Sequence, residues 1–189
     1  IFGIIISVVG ILLFISLISY SPTDPNFIFP ENTQIKNLLG FQGSYTSDLF
    51  FQSIGLISYL IPATFIFTGI NIFKKKEIIF AVENLFLIIS YSLLGSFFAS
   101  YFYSDSFSIL INGNGGFIGN YLNSTFLNNL VKNNEKIFYY ILIFILLVLF
   151  LLSINFKPKP FLLSVKNLFN FLLSSKEKNY TNKNEIINE

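Results

Sequence analysis

Lys74-Lys75-Lys76-Glu77 contains the only run of like charges in the sequence, and it lies between two long apolar segments. In membrane proteins, a short loop that carries several lysines between two spans stays on the cytoplasmic side. The stretch therefore predicts that the segment before it runs inward and the segment after it runs outward. The alternative is the solvated end of a helix in a soluble protein, and the length of the flanking apolar runs argues against it.

The composition of the whole chain also indicates a membrane protein. Of the 189 residues, 53% are hydrophobic and only 12% are charged, whereas a soluble domain usually has about 25% charged residues. The sequence contains neither Cys nor His, which excludes disulfides, thiolate metal sites and the commonest general base. The net charge of +2 is too small to predict direct contact with nucleic acid.

Four apolar segments are long enough to cross a bilayer, which requires about 20 residues. We place these spans near residues 2–20, 49–73, 85–103 and 137–156. The first residue is Ile1 rather than Met, so we expect a fragment or a processed form. A signal peptide is the alternative for the first segment, but its apolar core exceeds the roughly 7–15 residues of such a signal, and Pro22 disfavours cleavage.

Two polar loops join the spans on the side opposite the lysines. The first follows Ser21–Pro25, whose two prolines end the first span, and extends over residues 26–48. It is poor in lysine, which is typical of an outside loop. The second covers residues 104–136 and contains the turn sequence Asn112-Gly113-Asn114-Gly115-Gly116. From Phe117 its apolar spacing predicts a short amphipathic helix.

A stripe of small side chains runs along the third span. Ser92, Ser96 and Ser100 recur every four residues, and Gly95 and Ala99 do likewise. In lipid, small residues let helix backbones approach closely. We therefore predict that this stripe lies against another helix, either of the same chain or of another copy.

Two single residues have alternative interpretations. Pro62, near the middle of the second span, predicts a kink, which would serve either helix contact or gating. Glu83 would be a candidate functional residue if it lay inside the membrane, but such a charge is costly there, so we place it at the inner interface.

Lys157-Pro158-Lys159-Pro160 ends the fourth span and adds lysines on the side of Lys74–Lys76. Together, Lys74, Lys75, Lys76, Lys157 and Lys159 determine the predicted topology, in which both termini are cytoplasmic. The predicted fold class is an all-α integral membrane protein. Residues 1–160 form its four-helix transmembrane domain, and residues 161–189 form an interfacial helix followed by the start of a polar cytoplasmic linker.

Three motifs lie at or near the outer ends of the spans. They are Ser19-Tyr20-Ser21-Pro22-Thr23-Asp24-Pro25-Asn26-Phe27, then Leu39-Gly40 to Gly43 leading to Gly55-Leu56, and then Gly115-Gly116-Phe117-Ile118-Gly119. With four spans, these motifs resemble the N-terminal membrane domain of the FtsK/SpoIIIE family of DNA translocases, over roughly residues 1 to 160. The chain departs from the family pattern because it lacks a basic lead-in to the first span and has a short tail.

The resemblance implies an anchor in the bacterial inner membrane at the division septum. It would tether a cytoplasmic hexameric ATPase that pumps DNA during cell division and chromosome segregation. The implied partners are membrane lipid, other septal division proteins and further copies of the chain, six by resemblance. The residues 1–189 would then be the anchor of a longer chain.

The segment itself carries no sign of enzymatic activity. No phosphate-binding glycine motif is present, so we predict no catalytic residue, no metal, no cofactor and no direct contact with nucleic acid here. The alternatives to an anchor are a small four-span transporter or channel subunit and a free-standing membrane scaffold. The spans lack the charged pairs and matched broken helices that transporters commonly show.

Overall fold

Helices account for all regular secondary structure in the computed structural model, which describes residues 1–25, 34–104 and 110–173. We number them in chain order as α1 (Phe2–Ile18), α2 (Gly40–Ile54), α3 (Leu60–Lys75), α4 (Ile79–Phe102), α5 (Gly116–Asn123), α6 (Phe126–Lys132), α7 (Glu135–Ser153) and α8 (Pro158–Leu173). The predicted all-α fold class is confirmed. The predicted linker after Leu173, and Asn26 and Phe27 of the first motif, lie outside the described residues.

The chain divides into two units, Ile1–Phe156 and Lys157–Glu189. Among the described residues of the first unit, three helical segments are long and apolar enough to cross a membrane: Gly40–Lys75, Ile79–Phe102 and Glu135–Ser153. Helix α1 is a shorter apolar helix of 17 residues, which at about 1.5 Å per residue extends about 26 Å. These four segments fit a four-span membrane domain.

The second segment is broken at Gly55. Its 36 residues would extend about 54 Å as one helix, well beyond the roughly 30 Å of a hydrocarbon core. Gly55 has a φ of +69°, and the 3-10 turn Gly55–Tyr59 redirects the chain into α3. The part from Gly55 to Lys75 is long enough to span by itself, so α2 is an additional helix.

Helix α2 is where the structure differs most from the sequence prediction. We expected a polar loop up to residue 48 and a span from residue 49, whereas a helix begins at Gly40 and ends at Ile54. Its buried face contains Gly43, Ser47 and Phe51, spaced four residues apart, and this face contacts the end of α1. Residues 49–54 therefore belong to α2 and not to the span.

Pro62 lies in the first turn of α3 rather than in the middle of a span. The backbone N–H groups of a first turn have no acceptor within their helix, so proline is tolerated there. The predicted kink is therefore replaced by the turn at Gly55–Tyr59, five residues in which Ser58 Oγ donates to Gly55 O at 2.5 Å.

Helices α1 and α3 are held together through glycines. A Cβ atom added at Gly3 would lie 2.5 Å from Gly69 O, and one added at Gly69 would lie 2.3 Å from Gly3 O. Beside them, Ser7 Oγ donates to Ile66 O at 3.1 Å. Such close backbone contact is typical of helix pairs in lipid, and the sequence analysis did not identify this pair.

Helix α4 begins at Ile79, ahead of the predicted start of the third span at residue 85. Glu83 is exposed near the beginning of the helix. Asn84 is buried, and its Nδ2 donates to Thr68 Oγ1 of α3 at 2.6 Å. The helix continues through Glu83 and Asn84, because one side chain is exposed and the other has a hydrogen-bond partner.

Aromatic side chains collect where α4 ends and α7 begins. The ring centroid of Phe98 lies 5.5 Å from that of Tyr139, and Phe102 lies 5.1 Å from Tyr139. The hydroxyls of Tyr103 and Tyr139 are 2.8 Å apart. Clusters of Tyr beside apolar spans are typical of the membrane–water interface.

The predicted amphipathic helix after Phe117 is present as two short helices, α5 and α6. The break occurs at Ser124 and Thr125, where Thr125 caps α6 by accepting a hydrogen bond from Leu127 N at 3.4 Å. In the second unit, α8 covers the predicted interfacial helix.

Candidate functional site at the loop end of the bundle

The first unit has two ends, which we name after their connections. At the lysine end, Lys74–Lys76 join α3 to α4, and all three lysines are exposed. At the loop end, α1 and α4 terminate and the described parts of the two long connections lie. Lys157 and Lys159, at the start of the second unit, are exposed as well. The three sequence motifs meet at the loop end, as far as their residues are described by the structure.

Asp24 of the first motif fastens the connection that follows α1. Its side chain is 1% exposed, and its carboxylate accepts hydrogen bonds from Lys36 N at 3.0 Å and Asn37 N at 2.8 Å. Hydrogen bonds to an ionised acceptor are stronger than neutral ones. The buried carboxylate therefore brings the two ends of this connection together.

Asn37, which the sequence analysis did not identify, caps the end of α1. Its Nδ2 donates to Ser16 O at 2.9 Å and to Ser19 O at 3.3 Å, and its Oδ1 accepts from Leu39 N at 3.1 Å. The last carbonyls of a helix have no partner within it, so one side-chain amide satisfies two of them. Ser19 Oγ in turn accepts from Leu38 N at 3.2 Å.

Tyr20 connects the first motif to α2. Its hydroxyl donates to Asp48 Oδ1 at 3.3 Å, and its ring lies 4.8 Å from that of Phe51, centroid to centroid. Burial of the phenol, followed by the charge of the Asp48 carboxylate, raises the pKa of Tyr20 to about 12. The phenol therefore stays protonated and remains a donor at physiological pH.

The hydrogen bonds continue from Asp48 to the turn Asn112-Gly113-Asn114-Gly115-Gly116, which we call the glycine loop. Gln52 Nε2 donates to Asp48 Oδ1 at 3.3 Å, and Gln52 Oε1 accepts from Asn112 N at 3.1 Å. Asn120 Nδ2 donates to Asn112 O at 2.8 Å, and Ser100 Oγ donates to Asn120 Oδ1 at 2.7 Å. A single chain of polar contacts thus crosses the loop end from α2 to α4.

The glycine loop lies directly on the break between α2 and α3. Leu56 N donates to Asn114 O at 2.9 Å, and a Cβ atom at Gly55 would lie 1.9 Å from that oxygen. Gly116, with a φ of +63°, has Gly55 N within 2.6 Å of where its own Cβ would be. Only glycine permits this approach and these φ values, so the second and third motifs fit each other.

The small-residue stripe of α4 faces the same loop. Ser96 is 0% exposed and its hydroxyl donates to Ile54 O at 2.9 Å, and Cβ atoms at Gly115 and Gly119 would lie 2.3 and 2.2 Å from Ser96 O. The stripe is buried at Ser92, Gly95, Ser96 and Ser100 and half-buried at Ala99. Its main neighbours are therefore α5 and the turn after α2, in the same chain.

The remaining residues of the first motif lie beside this core. Ser21 Oγ and Thr23 Oγ1 are 2.9 Å apart, Pro22 is exposed, and Pro25 O accepts from Ser44 Oγ at 2.9 Å. Ser44 is thereby buried in α2, where it lies against the end of the motif.

A second polar cluster, inside the bundle, was missed by the sequence analysis. Thr64 Oγ1 lies 3.1 Å from the hydroxyl of Tyr91 and 2.9 Å from Ser153 Oγ. It joins α3, α4 and α7 by hydrogen bonds. Each of the three apolar helices carries one of these polar residues, which is a visible feature of the sequence. The sequence does not show, however, that the three residues lie at the same depth and meet.

The chemistry of these sites is structural. Asp24 and Asp48, the carboxylates that are buried among the described residues, accept hydrogen bonds from backbone amides or neutral side chains. In the described ranges, no group of three or more acidic side chains is placed to hold a metal ion. The loop end therefore provides a fixed backbone arrangement. It consists of the break at Gly55, the end of α1 and the described parts of the two long connections.

Comparison with known proteins identifies relatives of this arrangement. The model of the 4TM region of DNA translocase FtsK/SpoIIIE matches residues 1–165. A DNA translocase FtsK of Rickettsia bellii is 30% identical over 114 residues, which are 60% of this chain and 15% of that protein. A DNA translocase FtsK of Rickettsia typhi is 33% identical over 72 residues, 38% of this chain and 10% of that protein.

A third relative, a DNA translocase FtsK of Azospirillum brasilense, is 32% identical over 78 residues, 40% of this chain and 12% of that protein. The chain thus matches only a small part of the length of each of these relatives. No solved structure matches it. Because the family model covers most of the 189 residues, the chain belongs to the FtsK/SpoIIIE family and is its four-span membrane region.

Proposed function

We propose that this membrane domain anchors a DNA-pumping ATPase at the division septum of a bacterium, in cell division and chromosome segregation. The observation that carries the proposal is the family match over residues 1–165, which includes all four apolar segments. The ATPase itself would lie outside the segment, and the segment would hold it at the membrane without taking part in the hydrolysis of ATP.

The interior of the bundle favours an anchor over a transporter or channel subunit. None of the described spanning helices buries a charged side chain, since Asp24 and Asp48 are the buried charged residues and both lie at the loop end. Ionisable residues inside membrane bundles usually mark the path of an ion or substrate. The polar groups of Thr64, Tyr91 and Ser153 instead bond to one another.

For the orientation, we propose that the lysine end is cytoplasmic and the loop end is outside. The native chain has no cysteine, so single cysteines can be labelled without background. Thr23→Cys and Asn129→Cys place exposed thiols at the loop end, and Lys75→Cys places one at the lysine end. An impermeant reagent should label the first two in intact cells without an outer-membrane barrier. Labelling of Lys75→Cys alone would contradict the proposed orientation and indicate the reverse one.

We further propose that the copies assemble, six by resemblance, and that the loop end contacts other septal proteins. Phe117, Tyr121 and Phe126 of α5 and α6 are 65%, 64% and 69% exposed there. Aromatic side chains of this kind are enriched in protein interfaces. These side chains are thus available to a partner without any change in the fold.

The septal role is tested in the full-length protein, in the bacterium that encodes it. Residues 1–165 are exchanged for an unrelated four-span bundle, and a fluorescent tag reports the position in dividing cells. We expect the native protein to collect at the septum and the exchanged protein to spread along the membrane. An even distribution of the native protein, or septal collection of the exchanged one, would contradict the proposal.

A further inference from the structure

Helix α8, in the second unit, exposes a set of large apolar side chains. Leu162, Leu163, Val165 and Phe169 are 64%, 60%, 47% and 61% exposed. The sequence of α8 contains lysines but neither Asp nor Glu, and Lys157 directly precedes it. A helix whose exposed surface is apolar and whose charges are all positive needs a binding partner that is both apolar and negatively charged.

The spacing of the four apolar residues places three of them on one face of α8 and Leu163 on the side of the lysines. Leu162, Val165 and Phe169 follow one another at three and four residues, so they share one face of the helix. Lys159 and Lys166 are seven residues apart and lie about a quarter of a turn from the centre of that face. In a helix that lies flat at a bilayer surface, lysines at this angle extend toward the phosphate layer.

We propose that α8 binds the bilayer surface, with Leu162, Val165 and Phe169 at the acyl boundary and its lysines on anionic phospholipid headgroups. The binding energy would come from burial of the apolar face and from attraction of the lysines to the negative surface. The proposal goes beyond the anchoring role and holds for either orientation of the bundle. Its consequence is that the lipid charge controls whether the chain after α7 lies on the membrane or leaves it.

Two other occupants fit the residues less well. Nucleic acid would match the lysines, but its phosphate backbone offers nothing to cover the apolar side chains at 162, 165 and 169. A second copy of α8 would cover the apolar face, but lysines would then flank the seam on both helices. Since α8 has no acidic residue to pair with them, the flanking charges would repel.

The test uses the whole chain, reconstituted in phosphatidylcholine vesicles with or without phosphatidylglycerol. Because the native chain has no cysteine, an environment-sensitive fluorophore is attached at Val165→Cys or, as the matched control, at Asn167→Cys on the opposite side of α8. With phosphatidylglycerol, we expect the label at 165 to be shielded from an aqueous quencher and the label at 167 to stay accessible. Equal access at both positions would overturn the proposal.

The charge requirement is tested by Lys159→Gln and Lys166→Gln. At a salt concentration where half of the 165 label is shielded, each substitution should lower the ratio of bound to released α8 about fivefold, and the pair about twenty-five-fold. Circular dichroism checks that the helix remains. If a variant loses helix, the salt titration of the labelled chain with both lysines tests the same contact, because salt screens it.

Three results would overturn the assignment to anionic lipid. The first is shielding that is equal in both kinds of vesicle and unaffected by salt. The second is a shift of the 165 label when duplex DNA is added to the chain in detergent, which would indicate nucleic acid. The third is shielding that rises with protein density in the vesicles, together with energy transfer between labelled copies, which would indicate a second copy.

Discussion

The two ends of the bundle join helices in different ways. At the lysine end, Lys76 adopts a left-handed conformation, with a φ of 59°, and the connection is a short exposed turn. Lys74 and Lys75 lie in the last turn of α3, where cations are favourable, and Lys75 Nζ lies 4.3 Å above the ring of Phe80. Charge and a short turn, rather than buried irregular backbone, therefore distinguish this connection.

At the loop end, irregular backbone is buried, and both the break at Gly55 and the end of α1 have hydrogen-bond partners from another segment. Asn114 O accepts a hydrogen bond from Leu56 N across the turn. In the connection after α1, Asp24 accepts from Asn37 N, and the side chain of Asn37 donates to Ser16 O. Buried backbone groups without water must bond within the protein. Substitutions at the loop end should therefore affect stability, whereas those at the lysine end should mainly affect topology.

The largest effect is expected for Gly55→Val. The added Cβ would lie 1.9 Å from Asn114 O, at a φ of +69°, so the glycine loop could not approach the turn. We expect a loss of more than about 3 kcal/mol in the free energy of unfolding, measured by SDS titration in mixed micelles. Gly113→Ala is the control, since Gly113 has a φ of +73° but open space, and should cost about 1–2 kcal/mol. Equal losses would mean that the contact with Asn114 is unimportant.

Ser96→Leu should have the next largest effect. Ser96 is fully buried and its hydroxyl donates to Ile54 O at 2.9 Å, so the larger side chain would lose this bond and push the end of α2 away from α4. We expect a loss of about 3 kcal/mol in the same assay. Ser90→Leu makes the same change on α4, where the Ser90 hydroxyl bonds only within its own helix, to Phe86 O at 2.9 Å. It should change stability by less than about 0.5 kcal/mol, and a similar loss in both variants would remove the case for a specific face.

Asp24→Asn tests the connection after α1. The amide keeps the shape of the side chain but loses the charge, and it cannot accept from both Lys36 N and Asn37 N. We expect a loss of about 2 kcal/mol and faster proteolysis between Pro25 and Lys36. Thr23→Ala, whose hydroxyl bonds with Ser21 at the surface, should leave both measurements unchanged. An Asp24→Asn protein as resistant as the native one would show that the carboxylate is dispensable.

Thr64→Val tests the polar cluster inside the bundle. Valine has nearly the shape of threonine, so the change mainly removes the hydrogen bonds to Tyr91 and Ser153. Interhelical hydrogen bonds in membranes contribute about 0.6 kcal/mol on average, so we expect a loss of about 1 kcal/mol. A double-mutant cycle with Ser153→Ala isolates the pair, and additive losses would show that the two hydroxyls do not interact.

The sequence predicted the parts of this fold that depend on local pattern. Apolar length indicated four apolar segments, and the four-residue repeat indicated the stripe with Ser96. The break between α2 and α3 was missed because the apolar residues from Leu49 run into α3 with no charge between them, and only Gly55 marks the break. Contacts between distant residues leave no such pattern. Thr64 meets Ser153 across 89 positions, and the role of Asn37 depends on where α1 ends.

The smallest expected effect is the dependence of stability on pH that Tyr20 contributes. Its raised pKa distinguishes this residue of the loop end from a tyrosine at the protein surface. Its pKa is raised from 10.0 to about 12, chiefly by burial, because the neutral phenol is favoured in the folded protein. Its contribution to stability is therefore complete below pH 10 and is lost as the pH rises from 10 toward 12. The ultraviolet absorbance of tyrosinate, recorded for the native chain minus Tyr20→Phe, should show one group with a midpoint near 12. A midpoint near 10 would mean that Tyr20 is solvated and that its bond to Asp48 does not join α1 to the loop end.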